Sequence, residues 1–100
     1  MTAYVVALVD VTEPDQYQEY AKRAGAAAKK YADKHGVEYL ARGGRTVSLE
    51  GPAPRGRVVV ARFHSVEDAE AFYSSPEYLE AKTFRENAAT FQLFIVDGAD

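Results

Sequence analysis

Tyr78, Lys82 and Arg85 stand at i, i+4 and i+7, the spacing that puts a phenol and two cations on one face of a helix. Turned toward a cavity, such a face binds a carboxylate or a phenolate through charge-assisted hydrogen bonds. Turned outward, it pairs with Glu77 or Glu86 of the same helix. Arg42 poses the same choice. It precedes Gly43-Gly44, where the missing side chains let a ligand or another backbone come close. It is either a clamp for an anion or carbonyl, or a surface arginine paired with Glu38 or Glu50. Tyr20 and Tyr73 carry hydroxyls that need partners if buried, which makes them candidates to line a cavity. In a reacting site the arginines would stabilise a developing enolate or phenolate, and a tyrosine or His64 would move a proton.

Other chemistries find no support in the residue pattern. His35 and His64 are the only imidazoles and no cysteine is present, so no ligand set for zinc is visible. A single axial histidine for haem is not needed to explain either residue, since His35 suits a helix end and His64 the approach to a helix cap. "GPAPRGR" lacks the Gly-Lys-Ser/Thr of a phosphate loop, and no Gly-x-Gly-x-x-Gly opens a helix. Ser75 before Pro76 reads as a helix cap rather than a nucleophile. No cofactor and no metal are expected. The net charge of −3, with acids and bases interleaved, offers no footprint for nucleic acid. The apolar N-terminal run of about eight residues is too short for a membrane span or a signal sequence. A soluble cytoplasmic protein is expected, and the lack of cysteine fits a reducing compartment.

The elements that must position these residues are legible. "AYVVALVDV" is apolar on both parities, as a strand covered on both faces would be. Thr12, Asp15 and Pro14 signal a helix start, and the stripe Tyr17, Tyr20, Ala21, Ala24, Ala28 and Tyr31 carries a helix over about 14 to 35, ended by Gly36. "VEYLAR" (37 to 42) is a strand that "RTVSLE" (45 to 50) continues or folds back on. "RVVVARF" (57 to 63) is the third strand. Ser65 and Asp68 cap a short helix at 66 to 74, Ser75-Pro76 stops it and starts another at 76 to 88, and "FQLFIV" (91 to 96) closes the sheet. One domain over residues 1 to 100 results, with a βαββαβ order. That order is the ferredoxin-like α+β arrangement, an antiparallel sheet with helices on one face. Strands apolar on both parities leave the other face needing a partner, and a second copy of the chain is the economical choice.

The segments "EYAKRAG", "LARGG", "GRVVVARF" and "AFYSSPEYLEAKTFRENAAT" resemble the domain-of-unknown-function 1330 family of the dimeric α+β barrel superfamily, over nearly the whole chain. The resemblance implies a homodimer whose two sheets close into a barrel. The wider superfamily includes haem-degrading and cofactor-free monooxygenases, muconolactone isomerases, peroxidases, and decarboxylating or cyclising enzymes of small aromatic compounds. The family's recurrent positions fall on Tyr20, on Arg42 with Gly43 and Gly44, on Ser75 to Tyr78, and on Lys82 and Arg85. Two positions depart from the pattern: Arg62 stands where members commonly have a carboxylate, and His64 where a proline is usual. An acid-base carboxylate there is therefore not carried over.

The combined expectation is one pocket per subunit between sheet and helices, lined by Tyr20, Tyr73, Tyr78 and Arg42, with Lys82 or Arg85 at its mouth. It would serve a cofactor-independent oxygenation, isomerisation or cyclisation of a small acidic or aromatic compound. The alternatives are the same pocket without turnover, or a structural dimerising domain whose interior is filled by side chains.

Overall fold

The computed structural model describes all 100 residues. Four strands, β1 (Ala3–Val11), β2 (Glu38–Arg42), β3 (Arg57–Phe63) and β4 (Ala89–Asp97), form one sheet in the order β2-β3-β1-β4, and every neighbouring pair is antiparallel. Four helices, α1 (Pro14–Lys30), α2 (Ala32–His35), α3 (Val66–Tyr73) and α4 (Pro76–Thr83), complete the ferredoxin-like α+β plan.

Register explains why β1 is apolar on both parities. Val5 sits between Ala61 and Ile95, Ala7 between Val59 and Leu93, and Val9 between Arg57 and Phe91; this inner face packs against the helices. Successive side chains alternate in direction, so Tyr4, Val6 and Leu8 form the outer face with Val58, Val60, Phe94 and Val96. No helix covers that face, and Phe94 and Val96 remain 44% and 47% exposed.

Several boundaries differ from the sequence-based expectation. No strand forms over 45 to 50. Residues 43 to 56 run as an irregular connection, with Val47 and Leu49 exposed and Gly43, Gly51 and Gly56 at positive φ. Gly56 is required where the chain enters β3, because a Cβ there would lie 2.0 Å from the Val9 carbonyl oxygen. The first helix is not capped by Thr12. Its N-cap is Glu13, without a side-chain bond, and the amides of Thr12 and Glu13 instead donate to the Ala88 carbonyl at 2.8 and 2.9 Å. The helix also pauses at Tyr31, whose ring stacks on His35 at 5.2 Å, before α2 ends at Gly36 in the left-handed region. The last helix stops at Thr83 rather than 88, and Asn87 turns the chain at φ 63°, a conformation asparagine tolerates better than most residues. Arg85 therefore lies in that turn and not on the helical face with Tyr78 and Lys82. The caps at Ser65 and Ser75 form as expected, accepting from the amides of Asp68 and Tyr78.

Two carboxylates bind the α1–α2 unit to the α3–α4 unit. Asp68 meets His35 Nδ1 at 2.8 Å and accepts from Ser65 Oγ at 2.9 Å. Glu77 accepts from the Tyr31 hydroxyl at 2.6 Å and from Lys30 Nζ. The Lys30 and Tyr31 bonds hold the Glu77 carboxyl at about 2, against its ordinary 4.5, and bonding to His35 and Ser65 lowers Asp68 in the same direction. A carboxyl depressed in the folded state gives stability that is fully present above its unfolded value and disappears as pH falls through its folded one. The melting temperature should therefore drop as pH falls from 4.5 toward about 2. Glu77→Gln should lose part of that slope in a series of thermal melts; a mutant curve parallel to the wild type would show that Glu77 does not contribute to it.

Candidate active site

Small residues meet where the sheet faces α1. Ala7 and Ala61 occupy the middle of the inner face, and Ala21 and Ala24 look toward it from the helix. Larger side chains would fill this space; alanines leave a cavity of about 420 Å³. Aromatic rings wall it, among them Tyr17, Tyr20, Tyr39, Phe63, Phe72, Tyr73, Tyr78 and Phe91. The rings brace one another, with Tyr20 edge-on to Phe91 at 5.5 Å and Phe72 tilted on Tyr78 at 5.3 Å. Edge-on and offset contacts of this kind are favourable beyond simple area burial.

The polar groups on this apolar surface are few. The hydroxyls of Tyr20 and Tyr78 bond to each other at 2.7 Å, buried between α1 and α4. In such a pair one O–H is donated inward, and the accepting hydroxyl keeps its own proton for a third group. Burial, reinforced by the neighbouring Tyr78, pushes the Tyr20 phenol far up, and burial likewise raises Tyr78 and Tyr39. These three hydroxyls therefore stay protonated near neutral pH and act as donors.

Arg42 ends β2 at the mouth of the cavity. Its Nη2 donates to the Ala21 carbonyl at 3.1 Å, and its guanidinium lies 4.2 Å from the Tyr39 ring centre. It pairs with neither Glu38, which bonds to Arg62, nor Glu50. Gly25 makes room for it: a Cβ on Gly25 would come within 2.9 Å of Arg42 Nη2. The sequence reading missed Arg57, which also lines the cavity and lies 5.4 Å from the Tyr17 ring centre. The signal was present in the alternation of β3, since Arg57 shares the inward parity of Val59, Ala61 and Phe63.

The remaining expected residues divide. Tyr73 lines the cavity, 36% exposed, with its ring 5.4 Å from that of Tyr78. Lys82 is not a lining residue; its Nζ donates to the Tyr73 hydroxyl at 2.7 Å. That bond holds the Tyr73 phenol below the usual tyrosine range against the opposing effect of burial, and the charges of Lys82 and Arg85 add to it. Arg85 stacks behind the wall, 3.8 Å from the Phe91 ring centre and 5.4 Å from that of Tyr20. It pairs with no acid of its own segment, and its Nη1 is buried without a hydrogen-bond partner. His64 is exposed and away from the cavity, its ring lying over Gly36, where a Cβ would meet Cδ2 at 2.1 Å. No three His, Cys, Asp or Glu side chains gather as a metal site.

Solved structures share this architecture. RPA0582, a protein of unknown function from Rhodopseudomonas palustris, is 21% identical with a TM-score of 0.71, over 99% of this chain and 83% of that one. A dimeric ferredoxin-like protein of unknown function from Jannaschia sp. CCS1 is 13% identical with a TM-score of 0.71, over 98% and 100%. SnoaB, a cofactor-independent oxygenase from Streptomyces nogalater, is 15% identical with a TM-score of 0.61, over 99% and 93%. At these identities the likeness concerns the fold. Among curated proteins none matches the sequence. The family described as Domain of unknown function (DUF1330) matches residues 2–99, and the chain belongs to it.

Proposed function

We propose that the protein is a cofactor-independent enzyme that oxygenates, isomerises or cyclises a small aromatic compound bearing an acidic group. The observation that carries this reading is that the hydrogen-bonded Tyr20 and Tyr78 and the side chain of Arg42 line a single apolar cavity of about 420 Å³. A flat ring is held by the aromatic walls. Its acidic oxygen meets the tyrosine donor and the cation, which are oriented before the charge develops and stand on an otherwise apolar wall. Once the bound compound loses a proton, the resulting enolate or phenolate is the common precursor of all three reactions. It is attacked by dioxygen in an oxygenation, reprotonated at another carbon in an isomerisation, or closed on an internal electrophile in a cyclisation. SnoaB, described as a cofactor-independent oxygenase, lends the first of these its support through the shared fold.

A cavity of this size counts against a purely structural domain. The same cavity without turnover remains the binding reading, and the two part on whether product appears. The partners in this proposal are the small molecule and a second copy of the chain, in the cytoplasm; nucleic acid and membrane have no part in it. No helix is long and apolar enough to cross a membrane. The second copy is favoured by the outer rows of Tyr4, Val6, Leu8, Val58, Val60, Phe94 and Val96, which in isolation would leave one whole sheet face wet.

A thermal-shift screen with hydroxylated aromatic acids should find compounds that raise the melting temperature. Arg42→Ala should weaken the best of them by about tenfold, as expected for one partly exposed charge-assisted hydrogen bond, while lowering the ligand-free melting temperature only by the few degrees that the lost Ala21 and Tyr39 contacts explain. No stabilising compound, or one indifferent to Arg42, would sink the reading.

In sedimentation at micromolar concentration the mass should be twice that of the chain. Val6→Lys, at the centre of the outer face between Val60 and Phe94, should halve it. A wild-type monomer would refute the pairing.

A further inference from the structure

Among the residues lining the cavity there is no Asp, Glu or His, so the only lining side chains that can accept a proton from a bound compound are tyrosines. Tyr73 differs from the other cavity tyrosines in having its hydroxyl held by a cation. The chain goes to some length to arrange this. Tyr73 ends α3 and Lys82 lies near the end of α4, nine residues on. On an unbroken helix they would stand about 13.5 Å apart along the axis and on opposite sides of it. Instead Ser75 Oγ donates to the Phe72 carbonyl at 2.7 Å and accepts from the Tyr78 amide at 3.2 Å, and Pro76 starts a new helix in a new direction. Lys82 Nζ then comes 2.7 Å from the Tyr73 hydroxyl and 4.6 Å from its ring centre.

We propose that Tyr73 is the proton acceptor of the cavity, with Lys82 as its positioning residue. The inference rests on the reading of the cavity as an enzyme site. The Tyr73 phenolate takes the acidic proton of the bound compound. The electron pair of the broken bond stays on the compound as its enolate or phenolate, facing the outward proton of the Tyr20–Tyr78 pair and Arg42. Tyr73, now a phenol, returns the proton to the product or, through its exposed edge, to solvent. No oxidant or reductant enters this step. The charged groups facing Tyr73 are Lys82 and Arg85 and its titratable neighbour is Tyr78, so both nearby charges favour its ionised form. Tyr20, Tyr39 and Tyr78 are displaced the other way by burial, which leaves them suited to donating rather than accepting.

The step can be tested before the natural compound is identified. The probe is 5-nitrobenzisoxazole, a planar aromatic that opens to a coloured nitrophenolate when a base removes its ring C–H proton; the N–O bond breaks and no co-reactant is needed. The wild type should open it at a rate that rises with pH and levels off below the usual tyrosine range. Tyr73→Phe, which keeps the ring in the wall, should lower the rate by at least about 100-fold, the scale of a lost general base. Lys82→Met should move the pH midpoint upward, and Lys82→Arg should bring it back. Binding is measured separately, by equilibrium dialysis of the probe at a pH where it does not open. If the wild type does not hold the probe, the reading of the cavity fails and this inference with it. If wild type and Tyr73→Phe hold it equally and open it equally, or not at all, the proton-acceptor role alone is overturned. A ligand-free titration of tyrosinate absorbance gives a further readout. One tyrosine should ionise early in the wild type and be missing in Tyr73→Phe; coincident curves would also overturn the role.

Discussion

The hydroxyl of Ser75 holds two segments at once, because it donates to the last turn of one helix and accepts from the first turn of the next. It is buried, so neither bond can be replaced by water without opening the structure. The residues it joins, Phe72 and Tyr78, are both in the cavity wall, and Tyr78 carries the hydroxyl that meets Tyr20 across the interior. One turn of chain thus sets the direction of α4, the height of the tyrosine pair and the reach of Lys82. A helix continued through this point would send all three elsewhere.

The cavity itself results from a mismatch of side-chain sizes. Rings around the perimeter are large and mutually braced, whereas the centre is furnished with alanines from both sheet and helix. Rings locked by edge-on contacts cannot swing in to occupy the gap, so the usual drive toward dense packing is met at the walls and not in the middle. The same burial keeps three tyrosines neutral, while two cations beside Tyr73 work against burial at the rim. Polarity is graded from a protonated floor to a more acidic phenol near solvent.

Periodicity and capping chemistry made most of the fold readable. Both parities of β1, the stripe of α1 and the serine caps at 65 and 75 each have a local cause, and each appears where that cause sits. What escaped depended on partners distant in sequence. Residues 45 to 50 have strand-like composition and the outer edge of β2 is free, yet they do not add to it and stay irregular. The start of α1 is secured by a carbonyl from Ala88, beyond any local motif. The hydroxyls of Tyr20 and Tyr73, the helical spacing of Tyr78 and the glycines after Arg42 point to a cavity in the sequence, and all four side chains line one in the structure. Arg57 was overlooked because an arginine at a strand start looks like an edge residue until its parity is followed. Lys82 and Arg85 looked like one surface of a helix; the early end of α4 separates their tasks, one gripping a hydroxyl and the other lying behind the rings.

Gly25, in the interior of α1, carries a lesson about selection. A glycine there costs the helix about 1 kcal/mol relative to alanine, and nothing in the turn geometry asks for it, since its backbone is helical. Across the gap lies Arg42, whose Nη2 would stand 2.9 Å from a Cβ at this position. An alanine at this position would strengthen the helix and press on the tip of the Arg42 side chain, which would have to shift at the cavity mouth. Helix propensity and room for a charged entrance pull in opposite directions over the same few cubic ångströms.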